Sequence, residues 1–209
     1  MKLYLSSYKL GDQSQQLVSW LPNKRIALIS NALDFATDLE RKEQSRQRDV
    51  AELRGIGLDP GEIDLRSYFG KKDELETALS QFDGIWLRGG NTFVLRRAMA
   101  YSGLDLLLQS LATTDFVYGG YSAGACVAAP TLRGIDLADD PEITPNGYQP
   151  EIIWDGLNFV PYCIAPHYDS DHPESALIQR SIQYFIDHQI HFVALRDGDV
   201  LLEEIHTLP

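Results

Sequence analysis

Short apolar runs alternate along the chain with stretches of helical periodicity. The apolar runs have strand length and are rich in β-branched and aromatic residues: Leu3–Leu5, Ile26–Ile29, Ile63–Leu65, Ile85–Leu87, Phe116–Tyr118, Phe159–Ile164 and Phe192–Leu195. Helical patterns fall at residues 36–54, 72–81, 92–111, 123–128 and 174–188. Such alternation is typical of βαβ units, so the pattern predicts an α/β fold around a parallel sheet.

Turn residues agree with this division. Gly55 and Gly57 follow the first long helical stretch and would end it, and Pro173 stands at a helix entrance. Asp197–Gly198 predicts a turn between two late strands. Residues 132–155 show no clear period and predict a long surface loop. No repeat or linker divides the chain, so we expect one domain over residues 1–209.

Composition narrows the classes of partner. The chain has 209 residues and a formal net charge of −12. So acidic a surface repels phosphate backbones and anionic lipid, which argues against nucleic acid and membrane partners. Two unpaired cysteines, no signal peptide pattern and no long apolar run predict a cytoplasmic protein.

The most informative motif surrounds Ser122. The apolar run Phe116–Tyr118 leads into Gly120-Tyr121-Ser122-Ala123-Gly124, and small residues suited to a helix follow. A G-x-S-x-G sequence between a strand and a helix is typical of a nucleophile elbow, which exposes a serine hydroxyl on a tight turn. The alternative is a glycine-flanked serine in an ordinary strand–helix turn.

A second glycine pair follows another apolar run. Gly89 and Gly90 come directly after Ile85–Leu87, and a helical pattern begins near Phe93. Glycines at the carboxyl end of a strand can aim a backbone N–H into a cleft, where it could stabilise an oxyanion. The alternative is a simple turn in which Asn91 or Thr92 caps the helix.

Four motifs together resemble the peptidase E family of serine peptidases, which are relatives of cyanophycinase. In chain order these are Gly89-Gly90-Asn91-Thr92-Phe93, Gly120-Tyr121-Ser122-Ala123-Gly124-Ala125, Pro145-Asn146-Gly147 and Ala165-Pro166-His167-Tyr168. The resemblance implies a three-layer α/β sandwich with a mostly parallel central sheet, similar to class I glutamine amidotransferases. It also implies hydrolysis of dipeptides or short peptides without a cofactor or metal.

The same resemblance implies a triad of Ser122, His167 and Asp197. His167 would act as the base, and Asp197 would orient its ring, although many relatives have glutamate there. Backbone N–H groups of Gly90 and Ala123 would hold the oxyanion. An acidic residue near Asp139 or Asp140 also recurs in the family, without a role that the sequence reveals.

Position along the chain separates His167 from the other four histidines. His167 follows the apolar run Phe159–Ile164, so we expect it at the same sheet edge as Ser122. His172 is a backup base or substrate contact, whereas His188 and His191 flank the start of a strand and are expected at the opposite end. No familiar metal-ligand spacing is matched by the nearby set His167, Asp169, Asp171 and His172. The two cysteines, Cys126 and Cys163, are expected to be buried.

Four residues are candidate substrate contacts: Arg88, Asn91, Tyr121 and Tyr168. Arg88 could instead form an ion pair, and Arg180 is the one candidate for binding an aspartyl side chain.

Two other functions stay open. An esterase of the α/β-hydrolase type would need His188, His191 or His206 as its base. A non-catalytic binding module would keep the fold without turnover. A monomer or a homodimer fits the sequence equally well.

Overall fold

The computed structural model describes residues 1–205 and has seven helices and eight strands in that range. The strands are β1 Lys2–Ser6, β2 Arg25–Ile29, β3 Asp59–Glu62, β4 Gly84–Leu87, β5 Val117–Tyr121, β6 Cys163–Ala165, β7 Phe192–Ala194 and β8 Val200–Glu204. The helices are α1 Ser14–Trp20, α2 Leu39–Gly55, α3 Lys72–Leu79, α4 Thr92–Ser102, α5 Leu104–Leu111, α6 Ala123–Cys126 and α7 Ser175–Asp187. None of these helices combines the length and apolar character that crossing a membrane requires.

Six strands form the central sheet in the order β3-β2-β4-β5-β1-β8. All neighbouring strands are parallel except β8, which runs antiparallel to β1. One face of the sheet packs on apolar side chains of α3, α4 and α5, and the other face packs on α1 and α2. The predicted α/β fold with a mostly parallel sheet between two helical layers is therefore confirmed.

The strands β6 and β7 form a separate parallel pair. With α7 and part of α6 they enclose a third apolar cluster, which includes Cys126, Cys163 and Phe185. The expectation that the strand before His167 belongs to the same sheet as the Ser122 strand is therefore wrong. The carboxyl ends of β1 and β5 nevertheless lie beside those of β6 and β7, because Ser7 forms hydrogen bonds with His167 and Asp197.

Several element boundaries differ from the sequence-based expectation. The third strand is Asp59–Glu62 rather than Ile63–Leu65, because an edge strand tolerates Pro60 and Gly61 in its interior. Of the run Phe159–Ile164, only its last two residues are in a strand. The helical pattern 92–111 forms two helices, since Gly103 takes a left-handed conformation (φ 76°) that ends α4.

The predicted loop at residues 132–155 has only one short 3-10 turn, Ile135–Leu137. It is held by Arg97 of α4, whose side chain is fully buried. The guanidinium donates hydrogen bonds to four loop carbonyls at 2.6–3.3 Å, those of Pro141, Ile143, Pro150 and Glu151. The loop is thus fixed against the helix that follows the Gly89–Gly90 turn.

Candidate active site

Ser122 stands on a strained turn between β5 and α6. Its φ is 49° and its ψ is −112°, a conformation rare for a residue with a side chain and typical of a nucleophile elbow. The Ser122 N–H donates to the carbonyls of Ser6 and Ser7 at 3.1 and 3.2 Å. A Cβ on Gly124 would lie 2.4 Å from the Leu87 carbonyl oxygen, so the close approach of α6 to β4 requires glycine there.

The Gly89–Gly90 turn packs directly against this elbow. A Cβ on Gly89 would lie 3.2 Å from Cβ of Ser122, because β4 and β5 are neighbouring parallel strands. Gly90 follows with φ 145°, in a region that favours glycine. On the other side, Ala123 begins α6, and the first N–H groups of a helix have no acceptor within it. Ala123 is thus adjacent to Ser122 in the chain, and Gly90 directly follows the glycine that packs against Ser122.

His167 and Asp197 are brought together by the β6–β7 pair. Ala165 pairs with Ala194, so the residues that follow each strand emerge side by side. His167 Nδ1 lies 2.7 Å from Asp197 Oδ1. A neutral imidazole that donates from Nδ1 to a carboxylate keeps the Nε2 lone pair free to accept a proton.

Ser7 connects this pair to the elbow and was missed by sequence reasoning. Its hydroxyl accepts the His167 backbone N–H at 2.8 Å and donates to Asp197 Oδ1 at 3.0 Å. Its carbonyl accepts the Ser122 N–H. Because Ser6 pairs with Tyr121 in the β1–β5 ladder, Ser7 and Ser122 emerge at the same sheet edge. A single fully buried residue therefore contacts Ser122, His167 and Asp197.

The environment of His167 favours the neutral ring. Its side chain is 1% exposed, and burial lowers the pKa of His167 from its ordinary 6.5, while the hydrogen bond that the ring donates to Asp197 acts in the opposite direction. Its polar contacts in the described residues are with Asp197, Ser7 and Glu174. A hydrogen bond to Ser122 Oγ is not among them, and such bonds commonly tighten only when substrate binds.

Two aromatic rings cover the His167 ring. The His172 imidazole stacks on it with centroids 3.6 Å apart and planes 10° apart. The Tyr8 ring lies edge-on to it at 5.9 Å and also contacts His172 and Tyr121. Tyr8 is 39% exposed, so it stands at the opening of the site. No motif in the sequence marks Tyr8, since its position follows from the end of β1.

Arg88 and Tyr121 are placed away from solvent, which corrects their expected role as substrate contacts. Arg88 is fully buried and forms an ion pair with Asp49 of α2, with further hydrogen bonds to Ser30 and Ser45. The Tyr121 hydroxyl donates to the same Asp49 carboxylate at 2.9 Å. Both side chains therefore join the sheet to α2. Arg88 thus forms the ion pair that was its alternative role, and the pair lies in the interior of the protein.

Asn91 and Asp139 have polar roles at the start of α4. Asn91 caps the helix by accepting the Val94 N–H at 2.9 Å, as its alternative interpretation predicted, and it donates to the carbonyl of Asp140. Asp139 Oδ2 accepts the Thr92 N–H at 2.9 Å. Burial, with a smaller contribution from the Glu174 charge, raises the pKa of Asp139 to about 7.

The remaining candidates fall into three groups. Tyr168 is 37% exposed beside His167, so it is open to a ligand. His188 and His191 are exposed and precede β7, at the end opposite to Asp197, whereas His206 lies outside the described residues. Cys126 and Cys163 are buried free thiols, as expected.

A serine on a strained turn, linked through one residue to a histidine that is hydrogen-bonded to a carboxylate, is an arrangement typical of serine hydrolases. The family model of peptidase family S51 matches residues 12–207, so this chain belongs to peptidase family S51.

Curated relatives agree with this assignment. Peptidase E of Streptomyces coelicolor is 31% identical over 160 residues, covering 74% of this chain and 62% of that protein. An uncharacterised peptidase of Listeria innocua is 30% identical over 118 residues, covering 56% of this chain and 54% of the relative. The matched part of this chain thus spans between about half and three fifths of these relatives' length.

Solved structures support the fold. A peptidase E-type protein of Listeria monocytogenes EGD-e superposes with a TM-score of 0.70 at 23% identity, covering 98% of both chains. A peptidase from an acI-B1 actinobacterium superposes with a TM-score of 0.62 at 11% identity, covering 99% of this chain and 84% of that one. At these identities the likeness concerns the fold alone.

Proposed function

We propose that this chain is a serine peptidase that hydrolyses dipeptides or other short peptides. The observation that carries the proposal is the hydrogen-bonded His167–Asp197 pair, joined through Ser7 to the strained Ser122 turn. Membership of family S51 and the peptidase E relatives support the same reaction class.

In the first half-reaction, Ser122 Oγ attacks the carbonyl carbon of the scissile amide. His167 Nε2 accepts the hydroxyl proton as the C–O bond forms, and Asp197 stabilises the resulting imidazolium. The oxyanion is held by the N–H groups of Gly90 and Ala123. His167 then returns the proton to the leaving amine, which leaves an acyl ester on Ser122.

In the second half-reaction, water attacks the ester carbonyl while His167 Nε2 takes one of its protons. Collapse of the second tetrahedral intermediate breaks the ester bond, and the proton passes to Ser122 Oγ. The peptide acid leaves and the free serine is restored. Every proton is carried by His167, so the scheme requires no metal or redox cofactor.

Tyr8 and Tyr168 are partly exposed aromatic side chains beside His167, and we expect a short substrate to contact them. An aspartyl preference would need a cation facing the substrate. Arg88 is sequestered by Asp49, and Arg180 lies exposed on α7, a helix that begins eight residues after His167. We therefore propose a specificity broader than aspartyl dipeptides.

The test is a panel of dipeptides and aminoacyl amides, assayed with the wild type, Ser122→Ala and His167→Ala. We expect cleavage of several panel members by the wild type and a loss of at least about 1,000-fold in each variant. Ser110→Ala, which removes an exposed serine on α5, is the matched control and should keep full activity. Equal rates in the wild type and Ser122→Ala would remove the serine mechanism.

A fluorophosphonate probe separates the peptidase from a non-catalytic module. Labelling should occur on Ser122 of the wild type and of Ser110→Ala, and be absent from Ser122→Ala. An α/β-hydrolase esterase would instead lose activity on substitution of His188, His191 or His206 and retain it in His167→Ala. Absence of both labelling and cleavage would favour the binding module.

A further inference from the structure

Three metal-ligating side chains converge at the candidate base. His167, His172 and Glu174 each offer a ligand atom, and these atoms all lie within 4.8 Å of one another. Glu174 Oε2 is 4.0 Å from His167 Nε2 and 4.0 Å from His172 Nδ1. Two imidazoles and one carboxylate are a ligand set that zinc and related divalent cations favour.

We propose that His167, His172 and Glu174 form an inhibitory site for a divalent transition-metal cation such as Zn²⁺. The inference rests on the proposed function, because inhibition follows only if His167 Nε2 is the proton acceptor for Ser122. A cation bound to Nε2 occupies the lone pair that accepts the proton. The cation is then a reversible inhibitor and takes no part in the reaction.

The Asp197 contact prepares His167 as a ligand. Its Nδ1 is 2.7 Å from Asp197 Oδ1, which leaves Nε2 directed to the other side of the ring. Histidines that bind zinc commonly donate their second ring N–H to a carboxylate, which fixes the ring and makes the ligating nitrogen more basic. The same hydrogen bond therefore supports proton transfer and cation binding.

His172 and Glu174 have the freedom that closing the site requires. Zinc–nitrogen and zinc–oxygen bonds of roughly 2.0–2.2 Å bring tetrahedral ligand atoms to about 3.3 Å from one another, so each atom must move by less than about 1 Å. The stacked imidazole of His172 must also rotate to aim its lone pair at a shared ion. The side chains of His172 and Glu174 are 21% and 40% exposed, so both have room to move. The His172 ring accepts a long hydrogen bond, 3.3 Å, from the Glu174 N–H, and this bond would break on rotation.

The binding test uses Zn²⁺ alone with the chelator-treated 209-residue chain in calorimetry at pH 7. We expect one Zn²⁺ per chain with a dissociation constant of about 10 μM or tighter. Glu174→Gln and His172→Asn should each weaken binding at least about tenfold, since each removes one of three ligands. His188→Asn, an exposed histidine at the opposite end of β7, is the matched control and should bind as the wild type does.

The inhibition test measures peptide hydrolysis over the same Zn²⁺ range. Activity should fall with the midpoint found by calorimetry and return when EDTA is added. Glu174→Gln should need at least tenfold more Zn²⁺ than the wild type for half inhibition, with each protein's inhibition measured relative to its own rate in EDTA. Circular dichroism shows whether each variant is folded.

The outcomes of the two tests are separable. Peptide hydrolysis that Zn²⁺ does not inhibit, or binding that neither variant weakens, overturns the cation site and leaves the peptidase proposal standing. Stoichiometric binding that both variants weaken, in a protein without any hydrolase activity, supports the site and counts against the proposed function. Inhibition that His188→Asn relieves would place the cation elsewhere and overturn the proposal.

Discussion

At the scale of single residues, Ser7 is the centre of the candidate site. Its hydroxyl bridges the His167 backbone and the Asp197 carboxylate, and its carbonyl receives the Ser122 N–H. Removing the hydroxyl leaves the nucleophile, base and acid in place but loosens their mutual orientation. A small misplacement of reacting groups costs rate rather than ground-state binding.

We therefore expect Ser7→Ala to lower kcat for peptide hydrolysis by about 10- to 100-fold with KM changed less than about twofold. Steady-state kinetics on the best substrate of the panel would measure both constants. Ser6→Ala is the matched control, because Ser6 is equally buried but its hydroxyl donates to the Tyr8 carbonyl. An equal loss in both variants, or a change confined to KM, would contradict a positioning role for Ser7.

The raised pKa of Asp139 leads to a second prediction at the residue scale, on how stability depends on pH. Its carboxyl holds a proton up to about pH 7 in the folded chain but titrates near 3.8 when unfolded, because burial disfavours its charged form. Between these values the folded state binds more protons, so this residue's contribution to stability is lost as pH rises from about 4 to about 7. Glu174 adds to the shift, and the Thr92 N–H opposes it.

Asp139→Asn keeps an oxygen for the Thr92 N–H and cannot ionise. We expect the variant to be more stable than the wild type, with a larger difference in Tm at pH 8 than at pH 5. Thermal unfolding at both pH values measures it. Asp140→Asn, an exposed neighbour, should show the same difference at each pH. An advantage for Asp139→Asn that is greatest at pH 5 would contradict the raised pKa.

Residue identity alone could predict part of this site. Ser122 is marked by its glycines, and the family resemblance indicated His167 and Asp197, which the structure brings together. Ser7 carries no local signal, since its role depends on the parallel register between β1 and β5. Arg88 was assigned to substrate because a sequence does not show that Asp49, 39 positions away, neutralises it in the interior.

At the scale of elements, the loop at residues 132–155 depends on one helix residue. Arg97 donates to four loop carbonyls, and burial lowers the pKa of its guanidinium, a group that nevertheless stays charged in proteins at neutral pH. The absence of a clear period predicted the loop. Its anchor was not predictable, because the residues around Arg97 in the sequence do not reveal which distant groups the guanidinium contacts.

Arg97→Met should release the loop and leave four partly buried loop carbonyls without their donor. We expect the free energy of unfolding to fall by more than about 3 kcal/mol and proteases to cut between residues 138 and 156 before the rest of the chain. Limited proteolysis with mass spectrometry locates the cuts. Arg48→Met, on the exposed face of α2, should show neither change. First cuts elsewhere in the variant would contradict the anchoring role.

Element boundaries were predictable wherever one pattern dominates, as in the central strands. They were not predictable for β6, because the apolar run Phe159–Ile164 is shared between two structures. Leu157 and Phe159 donate backbone hydrogen bonds to Val127 and Ala128 at the end of α6, and only the later residues pair with β7. Long-range competition for hydrogen-bond partners decides such a division.

At the scale of the whole molecule, the layers are joined by a buried polar link as well as by apolar packing. Asp49 of α2 reaches Arg88 at the end of β4 and Tyr121 at the end of β5, next to the nucleophile. Apolar periodicity predicted the parallel sheet with its helices, and the family resemblance predicted the three layers. The sequence could not predict this link, since the charged pattern of α2 is also what a solvent-exposed helix shows.

Breaking the link should destabilise the entire fold. Asp49→Ala leaves the fully buried Arg88 guanidinium without its carboxylate, so we expect the free energy of unfolding in urea to fall by about 3–5 kcal/mol. The double variant Asp49→Leu with Arg88→Met removes both charges and should recover at least half of that loss, because a buried pair replaced by apolar groups is often neutral. Lys71→Ala, which breaks an exposed pair with Glu74, should cost less than about 1 kcal/mol. If the double variant is no more stable than Asp49→Ala, the cost arises from lost packing, and the unpaired charge is not its cause.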